Sequence, residues 1–97
     1  MPTREVLASF WRDWDRLTPQ QQRRFLVAVS EFVADLRAGT GFRAGLRVKG
    51  VQGHQGVFEM TWAPDGRATF QYGEEVVAGE AHVIWRRIGA HDVFRRP

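Results

Sequence analysis

The spacing of apolar residues changes character near the middle of this chain. In the first half Phe25, Leu26, Val29, Phe32, Val33 and Leu36 recur at helical spacing, lining one face of an α-helix. Thr18-Pro19-Gln20-Gln21 puts a hydroxyl at the N-cap, proline at the first helical position and glutamine at the third, a capping box. Gly39 follows as a C-cap glycine, so a helix is predicted from about Pro19 to Ala38. Upstream, Leu7, Phe10, Trp11, Trp14 and Leu17 also fit a helix, with a short edge strand around Val6 to Phe10 as the alternative. Trp14-Asp15-Arg16-Leu17-Thr18 is read as the bend between elements.

The second half alternates. Phe58, Met60 and Trp62 interleave with Val57, Glu59 and Thr61, and Ala68, Phe70 and Tyr72 interleave with Arg67, Thr69 and Gln71. Between the runs Ala63-Pro64-Asp65-Gly66 is a turn signal, so the pair reads as a hairpin. Its apolar face meets the long helix; Glu59, Thr61, Arg67, Thr69 and Gln71 form a polar, concave face. Leu46 to Val51 is a further strand candidate, with Gly53-His54-Gln55-Gly56 as its turn into the hairpin. Glu74 to Glu80 is a loop, and Ala81 to Ile88 a strand apolar on both faces, as expected inside a sheet. The fold class implied is α+β: N-terminal helices on one face of a four-stranded, mainly antiparallel sheet, with the short N-terminal strand left open.

Composition narrows the function classes. The 97 residues suffice for one domain with a single core, expected over residues 1–97. Without cysteine, disulfides and thiolate metal sites are excluded, which fits a reducing cytoplasm. No apolar run approaches the roughly 20 residues that cross a bilayer, and the start lacks a signal-peptide core, so a soluble intracellular protein without membrane partners is expected. The net charge is +3, and Lys49 is the only lysine among the basic residues. Arginine suits bidentate contact with phosphate, although a GC-rich coding sequence enriches it too.

The chemistry concentrates at the end, in Trp85-Arg86-Arg87-Ile88-Gly89-Ala90-His91-Asp92-Val93-Phe94. An apolar strand breaks at a glycine and then presents an imidazole and an aromatic ring beside two guanidinium groups. That set suits a polyanion with stackable bases, which is RNA. By strand parity Arg86 shares a face with His82, Ile84 and Ile88, and Arg87 shares one with Val83 and Trp85, so only one arginine reaches the groove. Glu59, the one carboxylate on the hairpin's polar face, is expected to pair with Arg67 rather than to act as a base. His54 reads as a loop residue, and His82 and Asp92 as structural. The three histidines lack the close spacing of metal ligands, and no cofactor is implied.

Leu46-Arg47-Val48-Lys49-Gly50, Gly56-Val57-Phe58-Glu59-Met60-Thr61-Trp62, Asp65-Gly66-Arg67-Ala68-Thr69-Phe70-Gln71-Tyr72 and Ile88-Gly89-Ala90-His91-Asp92-Val93-Phe94, following long helices, resemble the RelE/ParE superfamily of bacterial toxins. The resemblance runs from the Trp11-Arg12-Asp13-Trp14 segment to Phe94, and its ending is similar to that of YafQ-type toxins. It implies a microbial-RNase-like fold with a short strand before the first helix. It also implies a type II toxin–antitoxin toxin: a metal-independent, ribosome-dependent mRNA endonuclease acting in the ribosomal A site and masked by a cognate antitoxin. Carried onto this chain, His91 and Arg67 match the catalytic positions. Arg47, Lys49 and Arg86 are expected to hold phosphate, and Phe94 to stack a base. Two features depart from the pattern: Thr61 and Trp62 stand near where many members carry arginine, and Phe94 stands where RelE has tyrosine. The alternatives are a ParE-like toxin that binds DNA gyrase without catalysis, and a degenerate toxin that binds only its antitoxin.

Overall fold

The computed structural model describes residues 1–97. Strand β1 (Thr3–Val6) leads into helix α1 (Ala8–Trp14) and helix α2 (Pro19–Ala38). Strands β2 (Lys49–Gly50), β3 (Phe58–Ala63), β4 (Gly66–Gly73) and β5 (His82–Gly89) follow. The local signals around α2 act as their chemistry dictates. Thr18 Oγ1 accepts from the Gln21 N–H, and the Gln21 side chain accepts from the Thr18 N–H. Gly39 ends the helix in the left-handed conformation at φ 70°, which costs glycine little.

The five strands run in the order β1-β5-β4-β3-β2, antiparallel except for β1, which pairs with β5 in parallel. The sheet therefore has one strand more than the four expected, and the N-terminal strand lies earlier than Val6 to Phe10. The strand expected over Leu46 to Val51 shrinks to two residues. Ala44–Leu46 instead forms a 3₁₀ turn that drives Leu46, 3% exposed, into the core. Arg47 behind it takes a left-handed φ of 48°, a backbone state strained for a residue with a Cβ.

Both helices cover one face of the sheet. Phe32 on α2 meets Phe70 of β4 at 5.0 Å and Trp85 of β5 at 5.3 Å between ring centroids. Phe10 of α1 and Phe25 of α2 complete the aromatic cluster. Met60, Ala68, Phe70 and Ile88 are 1% exposed or less, and each large apolar side chain so buried contributes about 1.5–3 kcal/mol. The core face of the hairpin is thus the one the alternation indicates.

Strand β5 corrects the parity argument. Thr69 of β4 pairs with Arg87 while the adjacent Phe70 pairs with Trp85, so Arg86 is the extra residue of a β-bulge. Beyond the bulge the alternation is reset. Ile88 turns inward with Val83 and Trp85, and Arg87, opposite Thr69, leaves that set. The prediction that the two arginines divide between faces assumed an unbroken strand.

Candidate RNA-binding face

The sheet face opposite the helices carries Lys49, Glu59, Thr69 and Arg87 as successive cross-strand partners. Strand β5 ends at Gly89, whose missing Cβ leaves room for Val93: a Cβ there would stand 3.0 Å from the valine Cγ1. The chain then turns back in the 3₁₀ turn His91–Arg95, anchored by Val93 at 1% exposure. That anchor leaves His91 exposed, its ring edge-on to Phe94 at 5.5 Å. Phe94, Lys49 and Glu59 line one cavity with Gly50, Val51 and Gln52.

Glu59 is 8% exposed and pairs with Lys49, whose Nζ lies 3.9 Å from Oε1; Arg67 is not its partner, as had been expected. Arg67 folds back over the hairpin turn, its Nη1 donating to the carbonyls of Ala63, Pro64 and Gly66. Its Nε and Nη2 carry no protein hydrogen bond and remain available. Arg86 donates from Nε to the Pro97 carbonyl at 2.8 Å and from Nη1 to Gln71 Oε1. The Thr69 hydroxyl reaches the same Pro97 carbonyl at 3.3 Å, so the segment after Phe94 lies across the middle of the face. Arg47 stands exposed in the bend before β2. Of the residues singled out, the fold thus groups Lys49, Phe94 and His91 along one side of the face, with Arg86 under the C-terminal segment. Arg67 and Arg47 stand apart from both groups, one at the hairpin turn and one in the bend.

Several residues escaped the sequence reading. Asp13 on α1 is 6% exposed and accepts from Arg87 Nε at 2.6 Å, Arg87 Nη2 at 3.1 Å and the Ile88 N–H at 3.1 Å. Hydrogen bonding to Asp13 raises the Arg87 pKa above its ordinary value, and the guanidinium stays charged. Arg87 is therefore a tie to the first helix, and its Nη1 also donates to the Arg96 carbonyl. Arg95 and Arg96 are exposed beside Phe94, and the basic pair after an aromatic was the signal that marks them. His82 behaves as a structural residue. It is 8% exposed, with Nδ1 2.8 Å from Thr3 Oγ1 and Nε2 3.5 Å from Glu5 Oε1, and so fastens β1 to β5.

No family model and no curated protein sequence matches the chain. Solved structures do. A chain of the Escherichia coli DinJ–YafQ complex superposes with a TM-score of 0.65 at 12% identity, covering 96% of this chain and 97% of that one. A chain of the Methanococcus jannaschii RelB–RelE antitoxin–toxin complex gives 0.61 at 13% identity, covering 94% of each. The YoeB/ParE toxin from Agrobacterium tumefaciens gives 0.62 at 12% identity, covering 92% of this chain and 98% of that one. The fold of this chain is the one these RelE/ParE-type toxins share.

Proposed function

We propose that the protein is the toxin of a type II toxin–antitoxin pair and cleaves messenger RNA at the ribosome without a metal. The observation that carries this reading is the exposed imidazole of His91 set edge-on to Phe94, which shares a cavity with Lys49 and Glu59 on the sheet's polar face. The fold shared with YafQ and RelE supports it, and the antitoxins in those two complexes support a cognate antitoxin as partner.

Metal-free cleavage joins the 2′-oxygen to phosphorus, breaks the bond to the 5′-oxygen, and leaves a cyclic phosphate and a free 5′-hydroxyl. One group must take the 2′-hydroxyl proton and another must give a proton to the leaving oxygen. An imidazole has an ordinary pKa of about 6.5 and serves either role near neutrality; His91 carries one of the two transfers. Charge building on the phosphate is met by guanidinium and ammonium donors. Lys49 holds the phosphate beside Phe94, while Arg67, through its free Nε and Nη2, and Arg47 engage the flanking backbone; Arg86 is committed to Pro97 and Gln71 and seats the C-terminal segment instead. Phe94 stacks a neighbouring base.

Primer extension on a translated message with wild type and His91→Ala tests the reading. The variant should lose at least roughly a hundredfold in cleavage, the contribution of one general acid–base group. His91 is exposed, so its removal leaves the fold intact. Full growth arrest by His91→Ala without message cleavage would transfer the reading to gyrase binding.

A further inference from the structure

We propose that the cavity between Glu59 and Phe94 is a guanine pocket, in which the Glu59 carboxylate reads the Watson–Crick edge of a base stacked on Phe94. This rests on the reading that the polar face binds RNA, and adds what that RNA must contain.

Glu59 is the observation that points to a ligand. Its residue is 8% exposed, yet its one partner is Lys49 at 3.9 Å, beyond hydrogen-bond reach. The lysine side chain is 62% exposed and spends most of its charge on water. The Glu59 side chain is 11% exposed and its oxygens open onto solvent through the cavity, so water supplies the donors the protein withholds, and a ligand with paired donors can displace it. The other buried carboxylate, Asp13, accepts three hydrogen bonds from the protein. Glu59 faces open space instead: a cavity of about 460 Å³, within the range of small-molecule sites, lined by Lys49, Gly50, Val51, Gln52, Glu59 and Phe94.

The walls select the occupant. An aromatic ring offers a flat plate to any base. The carboxylate has two acceptor oxygens and no donor, so it prefers two donors side by side. Guanine alone presents such a pair, at N1–H and the exocyclic N2 amine. The exocyclic amines of adenine and cytosine each sit beside a ring-nitrogen acceptor, and the N3–H of uracil lies between two carbonyls. In each of those cases a lone pair faces the carboxylate. The Lys49 ammonium at the rim meets the phosphate of the same nucleotide.

The test measures nucleotide binding to the purified full chain by isothermal titration or amide chemical shifts, which requires no catalysis. Guanosine monophosphate should bind best. Inosine monophosphate, lacking only the N2 amine, should bind on the order of tenfold more weakly, and adenosine monophosphate more weakly still. Glu59→Gln should erase the order, because its amide faces guanine with one donor; Phe94→Ala should weaken all nucleotides alike. If either variant fails to fold, the inosine comparison on wild type still decides. Equal affinity for guanosine and adenosine monophosphates overturns the proposal, as does absence of binding by all of them. Survival of guanine preference in Glu59→Gln overturns it too. If Glu59→Gln slows RNA cleavage equally at every base without altering nucleotide binding, Glu59 is a proton acceptor and the pocket reading falls. Selective guanine binding by a protein that cleaves no message would refute the nuclease and leave the pocket standing.

Discussion

Replacing Asp13 with alanine should be among the most damaging single changes in the molecule. The carboxylate is 6% exposed and holds three N–H donors of β5, from a helix near the start of the chain. Its removal leaves the Ile88 N–H without an acceptor, which costs about 1–3 kcal/mol when the group is buried. It also strands the Arg87 guanidinium, and breaking a fully buried ion pair costs about 3–5 kcal/mol. The Arg87 side chain is 25% exposed, so water relieves part of that, and the two effects overlap. A total near 3 kcal/mol is expected. For a chain of this length that lowers the melting midpoint by roughly 12–24 °C, at about 4–8 °C per kcal/mol. Urea unfolding is the assay, because an unchanged slope certifies that stability and not compactness moved. The double variant Asp13→Ala/Arg87→Ala should be better than the sum of its parts by about 1–3 kcal/mol. A cost under about 1 kcal/mol, or strict additivity, would refute the account of Asp13 as the tie between first helix and last strand.

Two further predictions concern packing and pH. Gly66→Ala would place a Cβ 2.5 Å from Trp62 Cε2, so it should cost about 1–3 kcal/mol in urea unfolding; a neutral result would mean the indole has room to move. Hydrogen bonds from Arg43 lower the Asp35 carboxyl from 3.8 to about 2, so its contribution to stability is complete above pH 3.8 and disappears as pH falls through about 2. Melting midpoints of wild type and Asp35→Asn should therefore converge between pH 5 and pH 2; a constant gap across that window would contradict the assignment.

What the residues disclosed in advance was whatever a few neighbouring positions decide. The bounds of α2 follow from Thr18, Pro19, Gln21 and Gly39, all acting within one turn of helix. The hairpin and its core face follow from alternation around Pro64 and Gly66. The failures were non-local. Nothing in Thr3 to Val6 announces a parallel partner at the far end of the chain, because its pairing is decided by β5. The Arg86 bulge undid a parity count, since one extra residue reverses every side chain beyond it. At the site, His91 and Phe94 were visible as types in a motif. That Arg67 would spend Nη1 on the hairpin turn was not, because carbonyls one, three and four residues away compete with any ligand.

The pairing of β1 with β5 has a consequence for how the molecule is born. Thr3 and His82 are 79 positions apart, and the opening strand has no other neighbour in the sheet. While the polypeptide is being made, its first residues must wait, unpaired, until those through Trp85 are free to fold. His91 lies only six positions beyond Trp85. Closure of the sheet and arrival of the imidazole are thus nearly simultaneous, and no shorter nascent fragment carries a finished cleft.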